Sequence, residues 1–277
     1  MSRPVANAFR VLFTGSAFFV FWWGGLFLSW TVLPLLRFRY RRDPHEGSRR
    51  CRSVLNRALR LHANYMKFFG LIDFDPRDIE EGIGIKGPFV MVANHPSLID
   101  VVLLLAMVPT MYCVVKGAVM HSPFVGRMLR YADHIDAGDG GPISGLGVIQ
   151  GAVDRLRRGD PVLIFPEGTR SPRDALGEFR KGAFVIARSA GVPVVPVHIH
   201  AHPPGLMRGM KWYTVPDGTI RFRFRVLTPV LPAAWKSDSG AMARNVRDSI
   251  AALFPQPLSG ASSSLPSTLQ RPHERPV

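Results

Sequence analysis

From Val11 to Leu36 the chain carries no charged side chain and is dense in aromatics, among them Phe18, Phe19, Phe21, Trp22, Trp23, Phe27 and Trp30. As one helix these 26 residues would reach about 39 Å, against a hydrocarbon core of roughly 30 Å. The run therefore predicts a membrane anchor. It exceeds the usual apolar region of a cleavable signal, and arginines follow it where a small-residue cleavage site would stand. Gly24, Gly25 and Pro34 keep a second form open, a bent pair of short helices lying in one leaflet. Between Arg37 and Lys67 basic residues outnumber acidic ones ten to two, and Val54, Ala58, Leu61, Tyr65 and Phe68 recur at steps of three and four. That spacing predicts an amphipathic helix with Arg49, Arg52, Arg60 and Lys67 on the polar side, either against anionic lipid or packed on the following domain.

Beyond residue 86 the pattern changes to short apolar runs separated by helical periodicity. Strands are expected at Phe89–Ala93, Thr110–Val115, Ala132–Asp136, Pro161–Phe165, Val194–His200 and Thr219–Thr228, and helices at Leu98–Met107, Ser144–Arg158 and Lys181–Ala190. The alternation predicts an α/β fold with a single largely parallel sheet covered by helices. The expected organisation is an apolar anchor with a basic flank (1–42), a basic amphipathic helix and linker (43–85), a catalytic-type domain (86–254) and a disordered Pro/Ser-rich tail (255–277). The flexible loop Gly138 to Pro142 lacks a dinucleotide fingerprint, because Ile143 stands where the third glycine would be.

Two loops carry chemistry. Asn94-His95-Pro96-Ser97-Leu98-Ile99-Asp100 follows an apolar strand and sets a histidine five positions before an aspartate, across the first turn of the next helix. A carboxylate there can hold one ring nitrogen and leave the other free as a general base. The same residues also fit a structural helix start, with Ser97 as cap and Asp100 completing a capping box. The second loop, Phe165-Pro166-Glu167-Gly168-Thr169-Arg170-Ser171, follows another strand and combines a carboxylate, a glycine, a hydroxyl and a guanidinium. Such a loop can hold an anion, with Arg170 forking onto phosphate oxygens, or be a polar turn whose Glu167 and Arg170 pair.

Together these loops resemble the H-x4-D and F-P-E-G-T-R blocks of the lysophosphatidate (1-acylglycerol-3-phosphate) acyltransferase superfamily, whose lysophospholipid acyltransferases they are similar to. Phe179-Arg180-Lys181-Gly182-Ala183 resembles the basic segment after the third block, and Val192 to Val197 the proline-containing fourth block, so the resemblance covers roughly residues 86–200. Lys116, Pro123, Gly126 and Arg130 resemble the second block, but Ala137 follows His134-Ile135-Asp136 where an acceptor-binding arginine is expected, which leaves Arg127 or Arg130 as substitutes. The resemblance implies a glycerolipid-acyltransferase-like fold and acyl transfer from acyl-CoA or acyl carrier protein to a lysolipid hydroxyl, without cofactor or metal. It further implies His95 and Asp100 as the general-base pair and Glu167, Gly168, Thr169 and Arg170 at the acceptor's phosphate. Lys116, Arg127, Arg130, Arg180 and Lys181 are possible substrate contacts.

Charge adds a constraint on partners. The net charge is +15 with a pI near 10.9, yet no zinc knuckle, helix-turn-helix or aromatic-basic strand accompanies it, so no nucleic-acid partner is expected. A lipid surface and an anionic acyl donor are. Arg37, Arg39, Arg41 and Arg42 after the apolar run, against Arg3 and Arg10 before it, place the domain on the cytoplasmic face of a cell inner membrane. Cys51 and Cys113 read as free thiols. His198, His200 and His202 would share one strand face, a spacing open to zinc, to acceptor contact or to simple exposure, and no metal site is assigned. Two other functions fit the same residues, a non-catalytic membrane-tethered lipid-binding protein and a lipid or thioester hydrolase; no Gly-x-Ser-x-Gly elbow supports the latter.

Overall fold

A computed structural model describes residues 3–138, 142–172, 175–207, 209–235 and 238–254. Three helices open the chain: α1 (Arg3–Trp30), α2 (Val32–Arg39) and α3 (Pro44–Phe68). Then follow β1 (Ile72–Asp73), α4 (Arg77–Glu80), β2 (Val90–Ala93), α5 (Asp100–Met107), β3 (Tyr112–Val115), α6 (Gly117–Met120), α7 (Gly126–Tyr131) and β4 (Ile135–Asp136). The remainder is α8 (Pro142–Arg157), β5 (Val162–Ile164), α9 (Gly182–Ala190), β6 (Val194–His202), β7 (Ile220–Val226) and α10 (Ser239–Ala251). The seven strands form one sheet in the order β1-β7-β6-β2-β5-β3-β4, parallel at every pairing except β6 with β7. The expected α/β sheet is therefore present, with an antiparallel turn at β7.

Two apolar layers cover the sheet. Met91, Ala93, Val195, Val197, Phe222 and Phe224 face α3 and α5, whereas Val90, Val92, Val194 and Ile164 face α8, α9 and α10. Strands β2 and β5 are buried on both sides, which is why they read as unbroken apolar runs. The sheet begins earlier than residue 86, since Ile72 and Asp73 pair with Ile220 and Arg221. A two-residue strand is too short to leave a period in the sequence, and α4, α6, α7 and α10 likewise lay outside the expected elements. The Gly-rich loop expected after Gly138 falls partly outside the described residues.

The apolar N-terminus is helical from Arg3 to Arg39 with one break at Thr31. Pro34 accounts for the break: its ring cannot accommodate the carbonyl of Trp30 four residues earlier, and it has no N–H to donate there. The stretch Asn7–Arg39 is 33 residues long and apolar enough to cross a membrane, and 11% of its most apolar window is buried against the rest of the protein. So small a buried share sets it apart from the core helix of a soluble domain. What packing there is uses aromatic contacts, Phe13 stacking on Phe69 at 4.0 Å and Trp22 meeting Phe124 edge-on at 5.5 Å.

Helix α3 corrects the sequence reading of its faces. Its buried side is Cys51, Arg52, Leu55, Leu59, Ala63 and Met66, while Leu61 and Phe68, assigned to the apolar face, are 73% and 83% exposed. Arg52, assigned to the polar side, points into the protein. The helix carries two apolar stripes, and the choice is set by what lies beneath it: the Thr110 and Ala132 carbonyls and the Asp160 carboxylate, which satisfy Arg52. This helix packs on the α/β domain along most of its length and is not a detached lipid-binding element.

Three wholly or partly buried imidazoles, His134, His198 and His62, make the fold acid-sensitive. Burial holds His134 down to about 3 and His62 and His198 to about 4, against 6.5 in an open chain. Below pH 6.5 the unfolded chain takes up protons that the folded chain refuses, so stability falls as pH drops from about 6.5 to about 4. Denaturant midpoints measured from pH 7 to pH 4.5 are expected to decrease throughout this range. A midpoint that stays level to pH 5 contradicts the assignment.

Candidate active site

Strands β2 and β5 lie side by side and parallel, with Val92 opposite Ile164, so the chain segments leaving their C-terminal ends emerge together. In open α/β sheets this is where ligands bind. The first segment carries His95 and the second Glu167. The imidazole lies flat against the Phe165 ring, centroids 4.2 Å apart, and its Nδ1 is 2.9 Å from Oδ2 of Asp100. Asp100 is completely buried and opens α5, where the helix N-terminus favours a carboxylate. Burial pushes its pKa up; the bond to His95, the Ser97 N–H and the charge of Arg170 pull it down. The same Oδ2 accepts the Ser97 N–H at 2.7 Å. Half of the capping box is thus present, but Ser97 Oγ turns away from the helix and donates to the Gly205 carbonyl at 3.0 Å. The helix-start reading and the base-pair reading share one carboxylate.

Asn94 fixes the start of this turn. Its buried side chain accepts from the Ile199 N–H at 2.7 Å and donates to the Ile199 carbonyl at 2.9 Å, tying the turn to β6. With Nδ1 held by Asp100, Nε2 is the ring nitrogen available to a substrate hydroxyl; the His95 side chain is 18% exposed.

The second loop differs from a simple anion cradle. Glu167 is 7% exposed, and its carboxylate accepts the His95 N–H at 3.3 Å, the Ser171 hydroxyl and the Gly177 N–H at 2.9 Å. Ser171 closes the clasp by accepting the His95 N–H at 2.9 Å and donating its own N–H to the His95 carbonyl at 2.8 Å. Glu167 therefore faces the backbone of the His95 turn and not an open pocket. The sequence suggests no role for Ser171; only the fold reveals that its spacing from Glu167 makes the clasp. Arg170 does not pair with Glu167: its Nη1 donates to the Leu206 and Met207 carbonyls at 3.0 and 3.1 Å. Gly168 has φ of 68°, and the Arg180 guanidinium lies against it, so an added Cβ would meet that group at 3.2 Å. Gly168, Thr169, Arg180 and Lys181 are all exposed.

Strand β3 flanks β5, so exposed Lys116 at its end stands beside the same loops. The two suggested substitutes for the missing second-block arginine are engaged elsewhere. Arg127 donates to the Tyr131 hydroxyl at 3.1 Å and lies over the Trp30 ring at 4.3 Å, joining α7 to α1. Arg130 donates to the Met120 carbonyl at 2.7 Å. An apolar groove of about 580 Å³ runs between Phe18, Phe19, Trp22 and Trp23 of α1 and Ser122, Pro123 and Phe124. His198, His200 and His202 do share one face of β6, opposite Arg225, Arg223 and Arg221 of β7; among the described residues no three His, Cys, Asp or Glu side chains group as metal ligands.

A mostly parallel α/β sheet with an H-x4-D pair at one strand end and a Phe-Pro-Glu-Gly-Thr-Arg loop at the next defines an acyltransferase-type protein, and the Acyltransferase family model matches residues 74–200. The 1-acyl-sn-glycerol-3-phosphate acyltransferase of Pseudomonas aeruginosa is 31% identical over 214 residues, 77% of this chain and 76% of that protein. The chain belongs to the 1-acyl-sn-glycerol-3-phosphate acyltransferase family. The chloroplast 1-acyl-sn-glycerol-3-phosphate acyltransferase BAT2 of Brassica napus is 34% identical over 110 residues, 40% of this chain and 32% of that protein. The chain thus spans about a third of the length of such chloroplast relatives. The crystal structure of the 1-acyl-sn-glycerophosphate acyltransferase PlsC from Thermotoga maritima has the same fold, with a TM-score of 0.67 and 23% identity over 90% of this chain and 95% of that one.

Proposed function

We propose that this protein moves a fatty acyl group from an acyl thioester, acyl-CoA or acyl carrier protein, to the free hydroxyl of a lysophospholipid such as 1-acylglycerol-3-phosphate. The observation that carries this reading is the 2.9 Å contact between His95 Nδ1 and the fully buried Asp100. Neutral His95 takes the acceptor's hydroxyl proton at Nε2 as that oxygen attacks the thioester carbonyl, and Asp100 stabilises the imidazolium that forms. Collapse of the tetrahedral intermediate breaks the carbon–sulfur bond, and the same proton returns to the leaving thiolate. The products are the diacyl lipid and free thiol, with no covalent enzyme intermediate.

Lys116 and Arg180, exposed beside the two loops, hold the acceptor's phosphate, with Thr169 as a hydroxyl donor and Lys181 as a more distant charge. Glu167 and Arg170 act through the backbone they clasp, and the aromatic groove beside α1 receives acyl chain. Helix α1 holds the enzyme at the membrane with the catalytic domain on the cytoplasmic face of the inner membrane. The test is a panel of lysolipid acceptors. Arg180→Ala and Lys116→Ala are each expected to raise KM for a phosphate-monoester acceptor roughly tenfold while leaving kcat within about threefold, the pattern of lost ground-state and transition-state binding alike. Unchanged KM in both variants would remove these residues from the acceptor site.

A further inference from the structure

We infer that residues 205–207 and 209–213 form a second lipid-contacting element, separate from the helical anchor and seated against the turn that carries His95. This rests on the reading that α1 lies in lipid. Three consecutive carbonyls of the segment hold both motif loops: Gly205 accepts the Ser97 hydroxyl, Leu206 accepts the Leu98 N–H and Arg170, and Met207 accepts Arg170 again. Ser97 in turn gives its N–H to the carboxylate that holds His95. The segment is therefore two hydrogen bonds from Asp100, through Ser97.

Its other end faces the surface. Trp212 and Tyr213 pack edge to face at 5.6 Å and are 48% and 47% exposed, and Leu98 beside the catalytic pair is 45% exposed. Lys211 lies 5.5 Å over the Tyr213 ring. Trp212 rests on α1 where Gly15 leaves room, since a Cβ there would lie 3.2 Å from the indole, and it meets Phe18 at 6.1 Å. Leu12 and Phe19, on the same helical stripe as Gly15, are 67% and 61% exposed. The indole thus extends the outward-facing apolar stripe of α1. An aromatic pair with a flanking lysine is the composition favoured at a bilayer interface, where rings sit at headgroup depth and an ammonium meets phosphate. A bilayer fits this surface, because the loop continues the exposed apolar side of α1, where Leu12, Phe19, Trp23 and Phe27 face outward.

The test uses the full chain in lipid nanodiscs. Cys51 and Cys113 are buried, so a Tyr213→Cys variant can carry an environment-sensitive fluorophore at position 213. Lipids brominated near the ester end of the chain are expected to quench it. In parallel, the Trp212→Ala/Tyr213→Ser double variant is assayed on a bilayer-presented lysolipid and on a short-chain lysolipid below its micellar concentration. Bilayer turnover is expected to fall about tenfold, roughly the contribution of one half-buried aromatic, while turnover of the monomeric acceptor stays within about twofold; Trp212→Phe restores most of the loss. Absence of quenching, or equal losses on both acceptors, overturns the proposal. Quenching needs no turnover, so this result stays readable even if His95 proves not to be the base.

Discussion

His95→Ala is expected to lower kcat by a factor of roughly a hundred to ten thousand, the usual worth of a positioned general base, with acceptor KM changed little. Asp100 holds Nδ1, so Nε2 is the nitrogen left for a hydroxyl, and nothing in the clasp around it depends on the ring: Glu167 and Ser171 bond the His95 backbone. The variant should therefore fold, which its thermal transition checks. Asp100→Asn is expected to fall nearly as far, because an amide cannot both accept the Ser97 N–H and stabilise an imidazolium. Parallel assays of the two variants measure how far the pair acts as a unit. A His95→Ala enzyme retaining a tenth or more of wild-type kcat would rule out base catalysis by this residue.

The largest expected loss of stability is at Arg52. Its side chain is 2% exposed and its guanidinium donates to the Thr110 carbonyl at 2.9 Å, the Ala132 carbonyl at 3.1 Å and the Asp160 carboxylate at 2.8 Å. The group also lies flat on the Tyr112 ring at 3.6 Å. Burial lowers the pKa of this arginine, yet the surrounding carboxylates and Tyr112 oppose the shift and the group stays charged. Arg52→Met keeps the stem but strands two carbonyls and a carboxylate, and breaking such a buried pair costs about 3–5 kcal/mol. Chemical unfolding in detergent is the measurement. A loss under about 1 kcal/mol would mean that water replaces the guanidinium.

These two residues mark the limits of what the sequence discloses. His95 and Asp100 are five residues apart, so a single helical turn brings them together, and their pairing could be read from spacing. Arg52 meets partners 58, 80 and 108 residues away. Its direction depends on the whole sheet, and a helical wheel placed it on the wrong side. The same contrast separates strands: β2 and β5, buried on both faces, were legible as apolar runs, while the two-residue β1 draws its existence from its partner β7. In the second loop the residue types were legible and their targets were not. Glu167 and Arg170 could equally have met a phosphate or each other, and the backbone of His95 and of Leu206 claims them instead. Thr169 and Gly168 remain at the surface, where the acceptor reading needs them.

In the proposed reaction a substrate hydroxyl, activated by His95, takes the acyl group. Its most direct test follows the label from radiolabelled acyl-CoA and, separately, acyl carrier protein in membranes supplied with 1-acylglycerol-3-phosphate. Label is expected in the diacyl phospholipid, with one free thiol released per acyl group transferred and loss of both in the His95→Ala enzyme. Label released as free fatty acid would make the protein a hydrolase. Label transferred equally by wild type and variant would show that the His95–Asp100 pair does not perform the chemistry.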